Sequence, residues 1–187
     1  MTDVSSGLLT RAHQDGLARA LRKIQRANIN IDDTSSIDID MLCSKARRLH
    51  KKKPIDIIAI DYIQLITCKK AGNRENEISQ ISAKIKGLAK ELNIPIIVLA
   101  QLNRSVENRK KRRPILSDLR ESGSLEQDAD LVGLLTRSGY FGNREQSDDE
   151  IVDEKEACLI LAKNRNGPTD DVPLLFHKEI TRFTEPN

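Results

Sequence analysis

Four short segments of this 187-residue chain carry side chains whose types and spacing could act on a phosphate ligand. The first is IDIIAIDYIQLI, an apolar run that reaches Asp61. A carboxylate at the carboxyl end of a buried strand lies where open α/β sheets bind ligands, and rigid placement there suits the water shell of Mg²⁺. The second is LAQLNRSVENRKKRRP, where Gln101 leaves the next apolar run and could stand beside Asp61, within reach of a γ-phosphate. The third is LSDLRESGSLEQDAD, in which Gly123 between two serines permits unusual backbone angles near Arg120, a combination suited to phosphodiester oxygens. The fourth is KNRNGP, with Lys163 and Arg165 two residues apart. On a strand both cations point the same way, so they could clamp a transferring phosphoryl group. Each segment also has a plainer reading. Turns favour Asp, a polar residue can leave any sheet edge, ESGS suits a capped surface helix, and a cationic hairpin tip is often only solvated.

The periodicity predicts the elements that would position these groups. Residues 55–61 form a strand-length run that is apolar on both faces, as in a central strand covered on both sides. Residues 75–92 place Ile78, Ile81, Ile85, Leu88 and Leu92 at steps of three and four, the spacing of an amphipathic helix. IPIIVLA (94–100) is a second buried strand, so the three together predict a βαβ unit with parallel pairing.

Upstream, residues 10–27 predict a helix with Leu17, Leu21 and Ile24 on one face and Thr10 as its cap. NINIDD (28–33) alternates like a short strand. Ser35 or Ser36 is expected to open a second helix through Leu42, Ala46 and Leu49. Lys45, Arg47, Arg48, Lys51, Lys52 and Lys53 lie on its exposed side, and Pro54 stops it. Downstream, residues 104–113 are strongly basic, LSDLRESGSLEQDAD has short helical character, and 131–137 is a strand. Residues 143–156 read as an acidic loop, and strands at 156–163 and 172–176 flank Asn-Gly-Pro as an antiparallel hairpin.

Composition agrees with one α/β domain. Hydrophobic residues make up 38% and charged residues 32%, while aromatics are 3% and Trp is absent, so the core must be built of Ile, Leu, Val and Ala. The net charge of +3 (31 basic, 28 acidic) says nothing of nucleic acid by itself. Cys43, Cys68 and Cys158 are widely spaced and lack a CxxC pair, which reads as reduced thiols without a zinc site. No secretory h-region or membrane-length apolar run occurs, so a soluble, intracellular protein with no membrane association is expected.

In order and spacing, IDYIQL, AQLNRSVENRKKRRPILSDLRESGSLEQDAD and AKNRNGP together resemble the later motifs of the DnaB family of hexameric replicative DNA helicases. The resemblance covers essentially the whole chain, and the long central motif is its most specific part. It implies an α/β, RecA-like core with a mostly parallel central sheet flanked by helices and a C-terminal antiparallel hairpin. Residues 1–187 would form a single, incomplete copy of that domain. By resemblance, Asp61 is the Walker B aspartate that holds Mg²⁺ through water. Gln101 is the sensor that couples nucleotide state to the DNA loops, and Lys163 and Arg165 reach across a subunit interface to the neighbour's γ-phosphate. Arg74 in AGNREN, with Arg120, Glu121 and Gly123, matches two channel-facing loops that grip the backbone of single-stranded DNA. The tract at 109–113 adds attraction to DNA or is solvated surface, and 145–156 reads as an outer loop. Asp170 and Asp171 depart from the small or hydroxylic residues expected after NGP.

No GxxxxGK[ST] occurs in the sequence, so nothing in it matches the loop that cradles ATP phosphates. The family's catalytic glutamate, collar domain and linker helix are likewise expected outside these residues. The resemblance therefore implies a share of an ATP- and Mg²⁺-dependent 5′–3′ helicase hexamer acting with primase and a helicase loader in the cytoplasm. The host would be bacterial, with a plasmid, phage or plastid context also open. The chain alone, whether fragment, split product or degraded copy, is expected to be inactive. A different reading is a non-catalytic, ring-interacting or single-stranded-DNA-binding subunit that lends Lys163 and Arg165 to an intact helicase. A recombination-type RecA-fold ATPase is a third, against which RESGSLEQDAD speaks.

Overall fold

The computed structural model describes residues 9–69, 72–103, 113–137 and 156–186, with the main chain only at 120–122. Helix α1 (Arg11–Arg26) begins where Thr10 caps it, its hydroxyl accepting the His13 amide at 3.3 Å. Leu17, Leu21 and Ile24 form its apolar stripe and are exposed. Helix α2 (Ile39–Lys52) starts later than Ser35 or Ser36. Asp38 is the cap, accepting the Asp40 amide at 2.9 Å, whereas Ser36 lies in the left-handed region with φ 51°. Residues 28–33 form no strand. Ile31 is 86% exposed, and Asp32 folds a local turn by accepting the Thr34 amide and hydroxyl while pairing with Lys45. Alternation alone does not make a strand, and no described backbone pairs with this segment.

Strands β1 (Ile58–Ile60) and β2 (Ile96–Val98) pair in parallel, Ile58 opposite Ile96 and Ile60 opposite Val98. Helix α3 (Arg74–Leu92) crosses between them, so the βαβ expectation holds. Asn73 caps its start by accepting the Asn76 amide at 2.8 Å, and Asn93 ends it in the left-handed conformation, which Asn tolerates. The helix drives Ile78, Ile81, Ile85 and Leu88 into a core shared with Ile39, Cys43, Ile60, Ile63, Ile66 and Cys68. Ile81 is 0% exposed. Ile81→Ala should therefore cost about 2–5 kcal/mol through lost transfer energy and an unfilled cavity. The check is the shift in urea midpoint, and a loss under about 1 kcal/mol would mean that the helix face does not hold this core together.

Only one face of this strand pair is covered by the described residues. Ile58, Ile60, Ile96 and Val98 pack on the core, while Ile57, Ile97 and Leu99 alternate with them and stay half exposed. Strand β3 (Leu131–Arg137) repeats the pattern, with Val132 and Leu134 buried and Leu131 and Leu135 half exposed.

Strand β3 is followed in a four-stranded antiparallel sheet by β4 (Glu156–Asn164), β5 (Asp171–His177) and β6 (Arg182–Thr184), adjacent in that order. The expected β4–β5 hairpin is present, and the antiparallel part extends beyond it on both sides. Among the described strands, one pair is parallel and three are antiparallel. Strand β6 has no counterpart in the sequence reading. It is held by Phe183 against Phe176, ring centres 4.7 Å apart, and by Thr184 against His177 at 2.9 Å. A second small core joins Leu119, Val132, Leu134 and Ile160. The segment LSDLRESGSLEQDAD forms a 3₁₀ run over Leu116–Ser122 that leads into helix α4 (Gly123–Asp128).

Cys43, Cys68 and Cys158 are free thiols, and burial pushes Cys43 and Cys158 above the ordinary thiol pKa. Among the described residues no helix is long and apolar enough to cross a membrane. Residues 104–112, which hold most of the basic tract, and residues 143–155 of the acidic loop lie outside the described residues.

Candidate nucleotide and DNA site

The parallel register places two expected residues at one sheet edge. Asp61 directly follows β1, and Gln101 leaves β2 at the same end. The two tips are tied by main-chain bonds from the Leu99 amide to the Ile60 carbonyl and from the Ile63 amide to the Leu99 carbonyl, both 2.9 Å. Asp61 is exposed, and its carboxylate forms no hydrogen bond or ion pair with the described residues. Nor do the described residues contain a group of three His, Cys, Asp or Glu side chains able to enclose a metal. A single exposed carboxylate suits a cation that keeps much of its water shell, as Mg²⁺ does beside phosphates.

Sequence reasoning singled out Asp61 and Gln101 but not the residue that joins them. Gln64 lies in the 3₁₀ turn Ile63–Leu65 just after Asp61. Its Nε2 donates to the Gln101 carbonyl at 3.3 Å, and its Oε1 accepts the Gln101 amide at 3.4 Å. The available signal was a single amide side chain inside the otherwise apolar run YIQLI.

Arg74 is the first residue of α3. Its guanidinium donates to the Gln64 carbonyl at 2.8 Å and pairs with Glu77. Glu77 also accepts the Cys68 amide at 2.7 Å, and this bond, followed by Arg74, holds its carboxyl below the ordinary value of 4.5. A depressed folded-state pKa stabilises the fold above the unfolded value, and that contribution is lost as pH falls through the folded one. The stability gap between the native chain and Glu77→Gln should thus be full at neutral pH and close in acid. Urea midpoints measured down through the carboxylate range check this, and a gap that widens in acid would contradict it.

Lys163, at the end of β4, and Arg165, one residue beyond it, do reach the same way. Lys163 donates to the carbonyls of Glu126 and Gln127, the second at 3.3 Å. Arg165 donates to the Gln127 carbonyl and to the Asp130 carboxylate at 3.3 Å, while its amide bonds the Asp130 carbonyl at 2.9 Å. Cations at the last carbonyls of α4 satisfy acceptors that the helix leaves unpaired. Asp130 also pairs with Lys86, which is the main cause of its lowered carboxyl pKa. Neither cation bonds Asp61 or Gln101 within the chain.

The third expected segment is placed only in part. Arg120 and Glu121 lie on the 3₁₀ main chain, and their side chains fall outside the described residues. Gly123 adopts φ −55° and ψ −29°, ordinary right-handed values, so the unusual angles expected of it are not used. A Cβ there would meet nothing within 4 Å. Arg113, from the basic tract, pairs with Asp171 through two contacts of 2.7 Å. The unexpected Asp171 thus anchors the hairpin to that tract.

The family model for the DnaB-like helicase C-terminal domain matches residues 1–185. The chain belongs to this family. This DnaB-like domain is 43% identical over 183 residues to replicative DNA helicase DnaB of Geobacillus stearothermophilus, a match covering 97% of the chain and 39% of that protein. Among solved structures, one ATPase domain superposes with a TM-score of 0.87 at 37% identity, covering all of this chain and 65% of that one. A DnaB-like replicative helicase, described with its interactions with primase, gives 0.85 at 40% identity and covers 96% of this chain and 43% of its own. The fold of this DnaB-like domain is therefore that of the RecA-like ATPase domains of DnaB helicases. It spans 39% of the length of the curated Geobacillus relative.

Proposed function

We propose that this DnaB-like domain is the Mg²⁺-facing and DNA-facing part of a hexameric, ATP-dependent replicative helicase that translocates 5′ to 3′ on single-stranded DNA. The observation that carries the reading is the Asp61 carboxylate, without a partner among the described residues, at the tip of β1 beside the Gln101-bearing tip of β2, in a chain of this family. Bound Mg²⁺·ATP supplies the phosphoanhydride whose hydrolysis drives movement. Asp61 orients the water shell of the cation, and Gln101 senses the γ-phosphate. Lys163 and Arg165 leave the carbonyls of α4 to reach the nucleotide of the neighbouring subunit. Arg74, Arg120, Glu121 and Gly123 hold the DNA backbone, contacts that ignore base identity as a translocating motor requires. Primase and a helicase loader are the partners implied.

The half-covered strands support the view that further polypeptide packs on this sheet beyond the described residues. Strands apolar on both faces need cover on both, and the described residues supply one. The sequence contains no GxxxxGK[ST], so the phosphate cradle comes from outside it, and the chain by itself is expected not to hydrolyse ATP.

The test is a chimera in which this chain replaces the matching segment of the Geobacillus helicase. Expected are ring assembly, DNA-stimulated ATP hydrolysis and strand separation. An assembled ring that binds ATP yet neither hydrolyses it nor unwinds DNA would overturn the reading. It would favour instead a non-catalytic subunit that joins a helicase ring.

A further inference from the structure

Gln64 sits in a turn whose neighbours Ile63 and Ile66 are fully buried, yet its side chain is turned to the sheet edge. There its carboxamide meets both polar atoms of one residue's main chain, donating to the Gln101 carbonyl and accepting the Gln101 amide. A neighbouring strand would offer the same pair of bonds, so the side chain continues the ladder past the end of β2 (Ile96–Val98). Among similar side chains only glutamine makes both bonds at this reach. Asparagine is one methylene shorter, glutamate cannot donate when ionised, and methionine offers neither strong partner.

The other end of the same residue is engaged as well. The Gln64 carbonyl accepts from the Arg74 guanidinium, which Glu77 holds from the opposite side, and Glu77 in turn fixes the Cys68 amide. One residue therefore bonds the tip that carries Gln101 and the start of α3.

We propose that Gln64 is a positioning residue that fixes the Gln101 main chain at the nucleotide edge and links it, through Arg74, to the DNA side of the domain. A DNA phosphate competes for the Arg74 guanidinium with a stronger bond, since both partners are then ionised, which frees the Gln64 carbonyl and lets Gln101 shift. The coupling rests on the reading of Gln101 and Arg74 given above, whereas the clamp itself does not.

Two measurements separate them. In the 187-residue chain, Gln64→Met should speed exchange of the Gln101 amide by about tenfold, the effect of roughly one lost hydrogen bond, and leave the amides of α3 unchanged. Unchanged exchange at Gln101 overturns the clamp. In the chimeric ring, Gln64→Met should lower DNA-stimulated kcat by about tenfold with KM for ATP within about twofold, and its effect should be non-additive with Arg74→Ala. Gln64→Glu, which keeps one acceptor, should fail to restore the stimulation. Full stimulation in Gln64→Met, or strict additivity with Arg74→Ala, overturns the coupling. A parent ring without DNA-stimulated hydrolysis overturns the functional reading, while exchange at Gln101 still decides the clamp.

Discussion

Arg165→Ala, introduced into the assembled chimeric ring, should lower kcat for DNA-stimulated ATP hydrolysis by about 10³-fold, the lower end of what an arginine finger contributes. KM for ATP should change far less, because the guanidinium meets charge that develops as the phosphoryl group transfers rather than charge already present in bound ATP. Loss of folding would not explain such a result. The Arg165 amide keeps its bond to the Asp130 carbonyl whatever the side chain. The ion pair with Asp130 lies between two half-exposed groups, where such pairs contribute about 0–1 kcal/mol. Arg165→Lys should restore little, since an ammonium cannot present the planar fork of a guanidinium. Steady-state hydrolysis with saturating single-stranded DNA checks this, and a loss under about tenfold would remove Arg165 from the site.

Asp61→Asn should reduce kcat/KM for Mg²⁺·ATP by about 10²–10³-fold, as expected on removing one charge that stabilises a transferring phosphoryl group. It should also raise the Mg²⁺ concentration needed for half-maximal hydrolysis, because a neutral amide attracts the hydrated cation less. The substitution is nearly isosteric, and Asp61 is exposed with no side-chain partner among the described residues, so stability should hold. A Mg²⁺ titration beside a thermal melt separates the two effects. An unchanged Mg²⁺ requirement would mean that Asp61 does not hold the cation.

These predictions rest on parts of the fold that were legible in the sequence to unequal degrees. Helix α3 was plain, because five apolar residues at steps of three and four admit no other period. The β4–β5 hairpin was plain because Asn-Gly-Pro permits little except a reversal. The segment NINIDD alternates like a strand, but no described backbone pairs with it. Asp32 satisfies the local amides instead. Helix α2 starts two or three residues later than Ser35 or Ser36 suggest, since Ser35, Ser36 and Asp38 are all capping types and only the folded backbone, with the Asp40 amide on Asp38, decides among them. Strand β6 was missed because it is three residues long and gains its place by aromatic packing on Phe176.

The candidate site shows the same division. Asp61 and Gln101 could be placed because parallel strands put their carboxyl ends together. Lys163 and Arg165 reach the same way although Arg165 lies just past β4, and their partners were not legible, since Gln127 and Asp130 come from a distant segment. Gln64 and the contacts of Arg74 depend on a turn geometry that no periodicity encodes.

In the proposed ring, the cations of one copy complete the site that holds Asp61 in the next. Mixing decides it. Rings of Asp61→Asn and rings of Arg165→Ala should each be nearly inactive, and subunits of the two co-assembled in equal amounts should recover hydrolysis. In a randomly mixed head-to-tail ring, about a quarter of the interfaces then join an intact Asp61 to an intact Arg165 from its neighbour. If the mixed rings stay as inactive as their parents, although mass measurement shows both subunits in one ring, Arg165 does not act across the subunit interface.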